Sequence, residues 1–425
     1  MTTITQAPLS SAPTTQATTP DNSYTALFFG YVSRSLAEAL TTVRTVATRL
    51  PDEDRVQACH VLDFGLRLPE NWPQARDLTV ALAPYVERSG EWETWRQQLQ
   101  RALQLAEQQQ DVASTLQLQM LAARLSQRQG RLVETIYAYR RVIRLARQTG
   151  NRFDAARACS NLGYIFIDTG RFGLSEILCR HALTIFTELQ SNHGLAHTHN
   201  HLGLLYTRQK RYAEAEHHLQ LACALWDRMQ DNHSLFHGNV NLGLLCFEMD
   251  RLNEALTYLD LALQIAEHSG ETVEIARVWN NLGVVYLKLR NFGIAASYLE
   301  KAYLHFSQIT QEVELAKIHH NLGLTYQQLE SWANALEHLE KALQHFQMTY
   351  NLMETMKVLI ALTGQATNSA YAARCVGHVR ALRRLVAQQH DPEFHTAFHT
   401  YVEQYCSSFL GGNTQKLLQL LAPLD

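Results

Sequence analysis

The chain has 425 residues, of which 46% are hydrophobic and 18% are charged. This length suits two or three ordinary domains or one elongated repeat array. A formal net charge of −3 lacks the basic footprint of a nucleic-acid-binding protein, and no apolar run is long enough to span a bilayer. We therefore expect neither nucleic acid nor a membrane as a partner.

The chain begins with a polar segment rich in Thr, Ser, Gln, Pro and Ala, MTTITQAPLSSAPTTQATTP. It lacks the basic start and apolar centre of a secretory signal. It also buries too little apolar surface to offset the entropy of ordering. We predict a disordered tail over 1–22, followed by an N-terminal helical cap or small bundle over 23–74.

Seven cysteines are spread along the chain without a CxxC pair. Most of them occupy apolar helical positions, where a thiol behaves as a small hydrophobic side chain. This usage predicts reduced thiols in a cytoplasmic protein.

Proline is absent from a long internal stretch. All nine prolines lie at or before Pro84 or at or after Pro392, so that residues 85–391 contain none. Proline interrupts helices and marks turns, and its absence favours helices joined by tight turns.

An Asn-Leu-Gly motif recurs in this stretch with a period of forty residues. Its copies are Asn161-Leu162-Gly163, Asn241-Leu242-Gly243, Asn281-Leu282-Gly283 and Asn321-Leu322-Gly323, with His201-Leu202-Gly203 in the remaining slot. An alanine recurs in the second half of each unit, at Ala182, Ala222, Ala262, Ala302 and Ala342. Apolar residues at helical spacing in both halves predict two amphipathic helices per unit. The small Gly and Ala side chains would let these helices pack closely.

The pattern resembles the tetratricopeptide repeat, whose signature is matched by Trp279, Leu282, Gly283, Tyr286, Ala295 and Ala302. Five consecutive copies agree over 154–348. The forty-residue period without a closing proline resembles the variant found in kinesin light chains and many bacterial signalling proteins. The resemblance implies an all-α fold, a right-handed α-solenoid of about seven tetratricopeptide helix hairpins over 75–360. Helical caps at both ends would include a C-terminal capping region over 361–425.

The asparagine of the motif is not explained by helix packing, because Asn is a mediocre helix former. One interpretation is that its amide bridges neighbouring repeats. In tetratricopeptide proteins, however, the first helices line a concave groove where such amides bind the backbone of an extended peptide, since an amide both donates and accepts. The resemblance assigns to this groove Asn161, Asn200, Asn241, Asn280, Asn281 and Asn321.

A second column of side chains lies four residues before the motif, and its members are cationic or can become so. They are Arg157, His197, His237, Arg277 and Lys317. A spacing of four places this column on the same helix face as the motif. It would favour an acidic peptide or a C-terminal carboxylate, and the alternative interpretation is a solvated helix face.

Histidine is abundant, at twenty residues. His197 and His201 have the i, i+4 spacing that can chelate zinc or nickel, as do His395 and His399. No third ligand is fixed by spacing, so we predict no metal site and no cofactor. A pH-sensitive groove is the better interpretation of these histidines, because protonation of His197, His201 and His237 would raise the affinity of the groove for anions.

The sequence carries no Gly-rich phosphate loop, G-x-S-x-G or HExxH motif. We predict a non-catalytic cytoplasmic adaptor that binds an extended, acidic peptide segment of a partner protein in its groove.

A first alternative is a peptide-responsive sensor, because a small N-terminal helical unit before about seven repeats resembles Rap-type phosphatases of response regulators. There the N-terminal helices engage an effector. A second alternative is a scaffold that self-assembles through its terminal helices, since an apolar stripe runs through LGGNTQKLLQLLAPLD.

Overall fold

The computed structural model describes residues 22–46, 50–89, 91–308, 312–366, 368, 370–410, 417 and 419. Within these residues the secondary structure is helical throughout, with no strand. The chain divides into two compact units, Met1–Gln190 and Ser191–Asp425.

The first unit contains eight α-helices among its described residues. They are α1 (Asn22–Thr45), α2 (Asp52–Gly65), α3 (Trp72–Ser89), α4 (Trp92–Gln108), α5 (Val112–Arg128), α6 (Leu132–Gln148), α7 (Arg152–Asp168) and α8 (Phe172–Glu188). Helices α1, α2 and α3 pack on one another around a core that includes Leu36, Leu62 and Leu78.

The second unit contains eleven α-helices in its described part. They are α9 (Asn192–Arg208), α10 (Tyr212–Arg228), α11 (Asn232–Glu248), α12 (Leu252–Ser269), α13 (Thr272–Lys288), α14 (Phe292–Phe306), α15 (Glu312–Gln328), α16 (Trp332–Met348), α17 (Leu352–Gln365), α18 (Ala372–Gln388) and α19 (Pro392–Phe409). Consecutive helices pair as hairpins, and the predicted all-α fold of stacked helix hairpins is confirmed.

Helix starts follow a strict period. From α3 to α19, each helix begins twenty residues after the previous one, at Trp72, Trp92, Val112 and so on to Pro392. The α17–α18 hairpin therefore continues the forty-residue unit into the region predicted as a C-terminal cap. The predicted tail lies outside the described residues except for Asn22.

Tight turns maintain this period. The described turns from Gln110 to Tyr350 each place one residue in the left-handed region, with φ between 53° and 69°. At the first of these turns the N–H of Asp111 donates to the carbonyl of Ala106 (2.9 Å), and Gln110 donates to Glu107 (3.2 Å). This is the Schellman arrangement that ends a helix. Asp111, whose N–H completes it, is also the N-cap residue of α5.

The motif glycines allow the close helix packing predicted for each hairpin. A Cβ atom on Gly283 would lie 2.6 Å from Cγ of Leu299 and 3.4 Å from the carbonyl oxygen of Ala295, both on α14. Gly163, Gly203, Gly243 and Gly323 stand in the same relation to the residue sixteen positions later. Any larger side chain at these positions would push the two helices of the hairpin apart.

At the C-terminal end, α19 packs against α17. The buried Tyr405 hydroxyl donates to Oε1 of Gln327 over 2.9 Å. Leu417, which belongs to the apolar stripe considered for self-assembly, is buried in the same core, and most of that stripe lies outside the described residues. None of the described helices is long and apolar enough to cross a membrane.

Candidate functional site

The twelve predicted site residues lie on first helices of successive hairpins. Arg157 and Asn161 lie on α7 in the first unit, and the other ten lie on α9, α11, α13 and α15 in the second unit. His237 and Lys317 are exposed, and the remaining ten side chains are half-buried. We call the surface formed by Asn200, Asn241, Asn280, Asn281 and Asn321 the amide face.

Two amide pairs bridge neighbouring repeats on the amide face. Nδ2 of Asn241 on α11 donates to Oδ1 of Asn200 on α9 over 2.8 Å. Nδ2 of Asn321 on α15 donates to Oδ1 of Asn280 on α13 over 2.9 Å. The bridging role considered as an alternative is therefore present for these four residues. Each pair uses one donor and one acceptor of its two amides.

Asn281 differs from its neighbours because Val240 occupies the position that Asn200 and Asn280 hold in other repeats. Among the described residues its side chain makes no hydrogen bond, although it is half-buried. Its amide therefore has a donor and an acceptor available for a ligand, at a position between the Asn200–Asn241 pair and the Asn280–Asn321 pair. In the first unit, Asn161 lies near the hydroxyl of Tyr139 and lowers its pKa, but desolvation has the larger effect and raises that pKa to about 12.

The cationic column is paired with carboxylates. Nη1 of Arg277 lies 2.9 Å from Oε1 of Glu274, and Glu314 lies 3.6 Å from Arg277 and 3.5 Å from Lys317. Arg157 lies 3.8 Å from Asp154 in the same i, i+3 relation. The column therefore has mixed charge. Asp154, Glu274 and Glu314 are separated by multiples of forty residues in the sequence. This spacing could have predicted that the cations of the column pair with carboxylates.

His197 contacts His193 and Trp226, and neither residue was part of the predicted site. The ring of His197 lies 4.4 Å, centroid to centroid, from that of His193 and 5.3 Å from that of Trp226. Desolvation lowers the pKa of His237, and the charges of His233 and Arg277 lower it further. Because His237 is exposed, solvent reduces the size of this shift. Protonation of His237 is thus disfavoured at neutral pH, which weakens its predicted role as a pH-dependent anion site.

His395 of the other predicted pair is engaged with backbone, because its Nε2 lies 2.9 Å from the carbonyl oxygen of Gln389. The predicted site lacked two residues that the fold brings to His197. They are His193, which lies four residues before it, and Asp231, which caps the next first helix.

Family models describe the repeats directly. Models of the tetratricopeptide repeat match residues 154–228, 235–303 and 316–346. The chain contains tetratricopeptide repeats over these residues. Repeats of this family generally bind protein or peptide partners. No curated protein sequence matches the chain.

Solved structures with this fold include Rap proteins. The repeat protein superposes on a Rap protein complexed with competence and sporulation factor with a TM-score of 0.55 at 13% identity, covering 85% of this chain and 98% of that chain. Aspartyl phosphate phosphatase F from Bacillus subtilis gives a TM-score of 0.53 at 12% identity, covering 81% and 97%. Apo RapI gives 0.51 at 16% identity, covering 64% and 99%. At these identities the likeness shows the fold alone.

Proposed function

We propose that this tetratricopeptide-repeat protein is a non-catalytic cytoplasmic adaptor whose amide face binds an extended peptide segment of a partner protein. The observation that carries this proposal is Asn281, whose half-buried amide has no hydrogen-bond partner among the described residues. An extended peptide presents an N–H and a C=O that match one amide side chain. The seven cysteines are free thiols that are buried or half-buried, which fits a reducing compartment.

The amide pairs support such a contact in two ways. They hold the first helices of adjacent repeats in register, as bridges between α9 and α11 and between α13 and α15. They also leave Oδ1 of Asn241 and Nδ2 of Asn200 for further contacts along the same line. A peptide backbone on this face would therefore meet amides on four successive first helices.

An acidic residue or C-terminal carboxylate of the peptide would lie near Arg277 and Lys317. Both cations share Glu314 at 3.6 and 3.5 Å, and all three side chains are partly exposed. Surface ion pairs of this kind contribute about 0–1 kcal/mol. A peptide carboxylate can replace Glu314 as their partner at little cost.

The test begins with a displayed library of random peptides selected on the wild-type protein. Asn281→Ala is expected to weaken the selected peptide about tenfold, equivalent to 1.4 kcal/mol, with an unchanged melting temperature because Asn281 makes no internal bond. Asn241→Ala is expected to lower the free energy of unfolding by about 1 kcal/mol, since it removes the bridge to Asn200. Calorimetric titration and denaturant unfolding measure the two effects.

Ser297→Ala serves as the matched control, because Ser297 is exposed on the second helix of the same hairpin. Glu314→Gln tests the charge preference and is expected to tighten binding of peptides with an acidic residue. Equal affinity of the wild type and Asn281→Ala for every selected peptide would contradict the proposed face. An unchanged affinity in Glu314→Gln would contradict the acidic preference alone.

A second candidate function is a peptide-responsive regulator, favoured by the fold likeness to a Rap protein complexed with competence and sporulation factor over 98% of that chain. In this function α1, α2 and α3 would engage an effector, and the peptide would change the dimensions of the chain. Small-angle X-ray scattering with and without the selected peptide separates the two functions. A changed radius of gyration favours the regulator, and a constant one favours the adaptor.

A further inference from the structure

Three side chains from adjacent repeats converge beside His197. His193 and His197 lie one turn apart on α9, and Asp231 reaches the same point from the N-terminus of α11. The potential ligand atoms of all three lie within 4.8 Å of one another. Within the described part of the chain, this is the one group of three His, Cys, Asp or Glu residues that meets this limit.

The donor atoms of the group are those that zinc binds. Asp231 offers a carboxylate, and His193 and His197 offer imidazole nitrogens. Oδ1 of Asp231 accepts the N–H of Ser234 over 3.0 Å, which holds the carboxylate at the start of α11 beside the two histidines. The half-buried His197 ring is held by Trp226, whereas His193 is exposed and leaves the site open to water.

We propose that His193, His197 and Asp231 form a binding site for a divalent transition metal of the zinc type, with water as the fourth ligand. Zinc binds His nitrogen at about 2.0–2.1 Å and carboxylate oxygen at about 2.0–2.2 Å in a tetrahedron, so the ligand atoms need to approach one another to roughly 3.4 Å. Rotation of the exposed His193 side chain supplies this movement. The bound metal links α9 to α11 and so joins two adjacent first helices.

The repeat that follows contains an incomplete copy of this group. His233, His237 and Glu271 occupy the positions of His193, His197 and Asp231 forty residues later. His233 Nδ1 lies 3.6 Å from Oε1 of Glu271, but the three ligand atoms do not converge within the limit met by the first group. One repeat further, Val273 and Arg277 replace both histidines. We therefore expect one metal per chain.

Cobalt titration of the metal-free full chain tests the site, because tetrahedral cobalt(II) absorbs visible light far more strongly than octahedral cobalt. The wild type is expected to bind one equivalent, which zinc displaces. His193→Ala and Asp231→Asn are each expected to weaken binding by at least the roughly 10–100-fold that loss of a second-shell partner causes. Asn also caps helices well, so Asp231→Asn removes the charge while it retains the start of α11.

His268→Ala is the matched control, because His268 is an exposed histidine on α12 outside the group. Zinc is expected to raise the melting temperature of the wild type and of His268→Ala, and to leave that of His193→Ala unchanged. The site is overturned if the wild type binds no stoichiometric cobalt. It is also overturned if His193→Ala and Asp231→Asn bind cobalt as the wild type does, or if His268→Ala loses binding to the same extent.

Discussion

Lowering the pH from 7 to 4 is expected to reduce the free energy of unfolding by several kcal/mol, and two buried histidines on α15 contribute to this loss. The side chains of His319 and His320 are 4% and 7% exposed. Desolvation, and then the neighbouring His338, lowers the pKa of His319 to about 3. Desolvation lowers the pKa of His320 to about 4, and its Nε2 is buried without a hydrogen-bond partner.

The direction of this effect follows from proton linkage. The unfolded chain binds a proton at each histidine with a pKa near 6.5, whereas the folded chain resists it until the pH approaches 4. The stabilisation by the two neutral rings is therefore complete above about pH 6.5 and is lost as the pH falls toward the folded values. Each ring contributes up to about 1.4 kcal/mol per pH unit in that window.

His319→Asn/His320→Asn tests this assignment with residues that the repeats already use. Asn239 and Asn280 hold the corresponding positions in earlier repeats. In the double variant, the slope of the free energy of unfolding against pH, measured by urea unfolding from pH 7 to 4, should fall by about 2–3 kcal/mol per unit. The exposed pair His233→Asn/His268→Asn should retain the wild-type slope. An unchanged acid slope in the first variant would show that other groups control acid unfolding.

Replacement of Trp226 by alanine is expected to lower the free energy of unfolding by about 3–5 kcal/mol. Trp226 is 1% exposed and belongs to a small core with Ala196 and Ala222. A Cβ atom on Gly238 of α11 would lie 3.0 Å from Cζ3 of its ring. The indole therefore fills the junction between the α9–α10 hairpin and α11, and its loss leaves a cavity.

The next repeat shows how the same junction is filled without tryptophan. Ala266 and Val278, which correspond to Trp226 and Gly238, are both buried in one core. Trp226→Ala/Gly238→Val transplants this pair and is expected to recover part of the lost stability, measured as the coupling energy of a double-mutant cycle. Recovery is partial because Cys223 Sγ would lie 2.5 Å from the new Cβ and must move. If the effects of the two single substitutions on the free energy of unfolding simply added, the new valine would not fill the cavity left by Trp226.

The repeating part of the fold could be predicted because it depends on local chemistry. Gly283 and Ala302 identify a close helix pair by their size alone, and the forty-residue period repeats that signal in five copies. The left-handed turn position was less visible in the sequence. Gln110 and Tyr350 hold it as well as Gly130 does, since the turn is fixed by its hydrogen bonds more than by residue type.

Contacts between repeats were harder to predict, because they depend on how one hairpin stacks on the next. The bond from Asn241 to Asn200 joins residues 41 positions apart, and its presence separates these amides from the unpaired Asn281. Asp231 similarly reaches His193 only through stacking of α11 on α9. The carboxylate of Glu314 was visible at helical spacing from Lys317, so its pairing could have been inferred.

Photo-crosslinking from the amide face tests the proposed function most directly. Benzoylphenylalanine would replace Val284, a half-buried residue one turn after Asn281 on α13, or Ser297, an exposed residue on α14. After irradiation with the selected peptide, mass spectrometry identifies the crosslinked residues. We expect a crosslink from position 284 that excess unlabelled peptide abolishes, and none from position 297. A crosslink from position 297 without one from position 284 would contradict the proposed function.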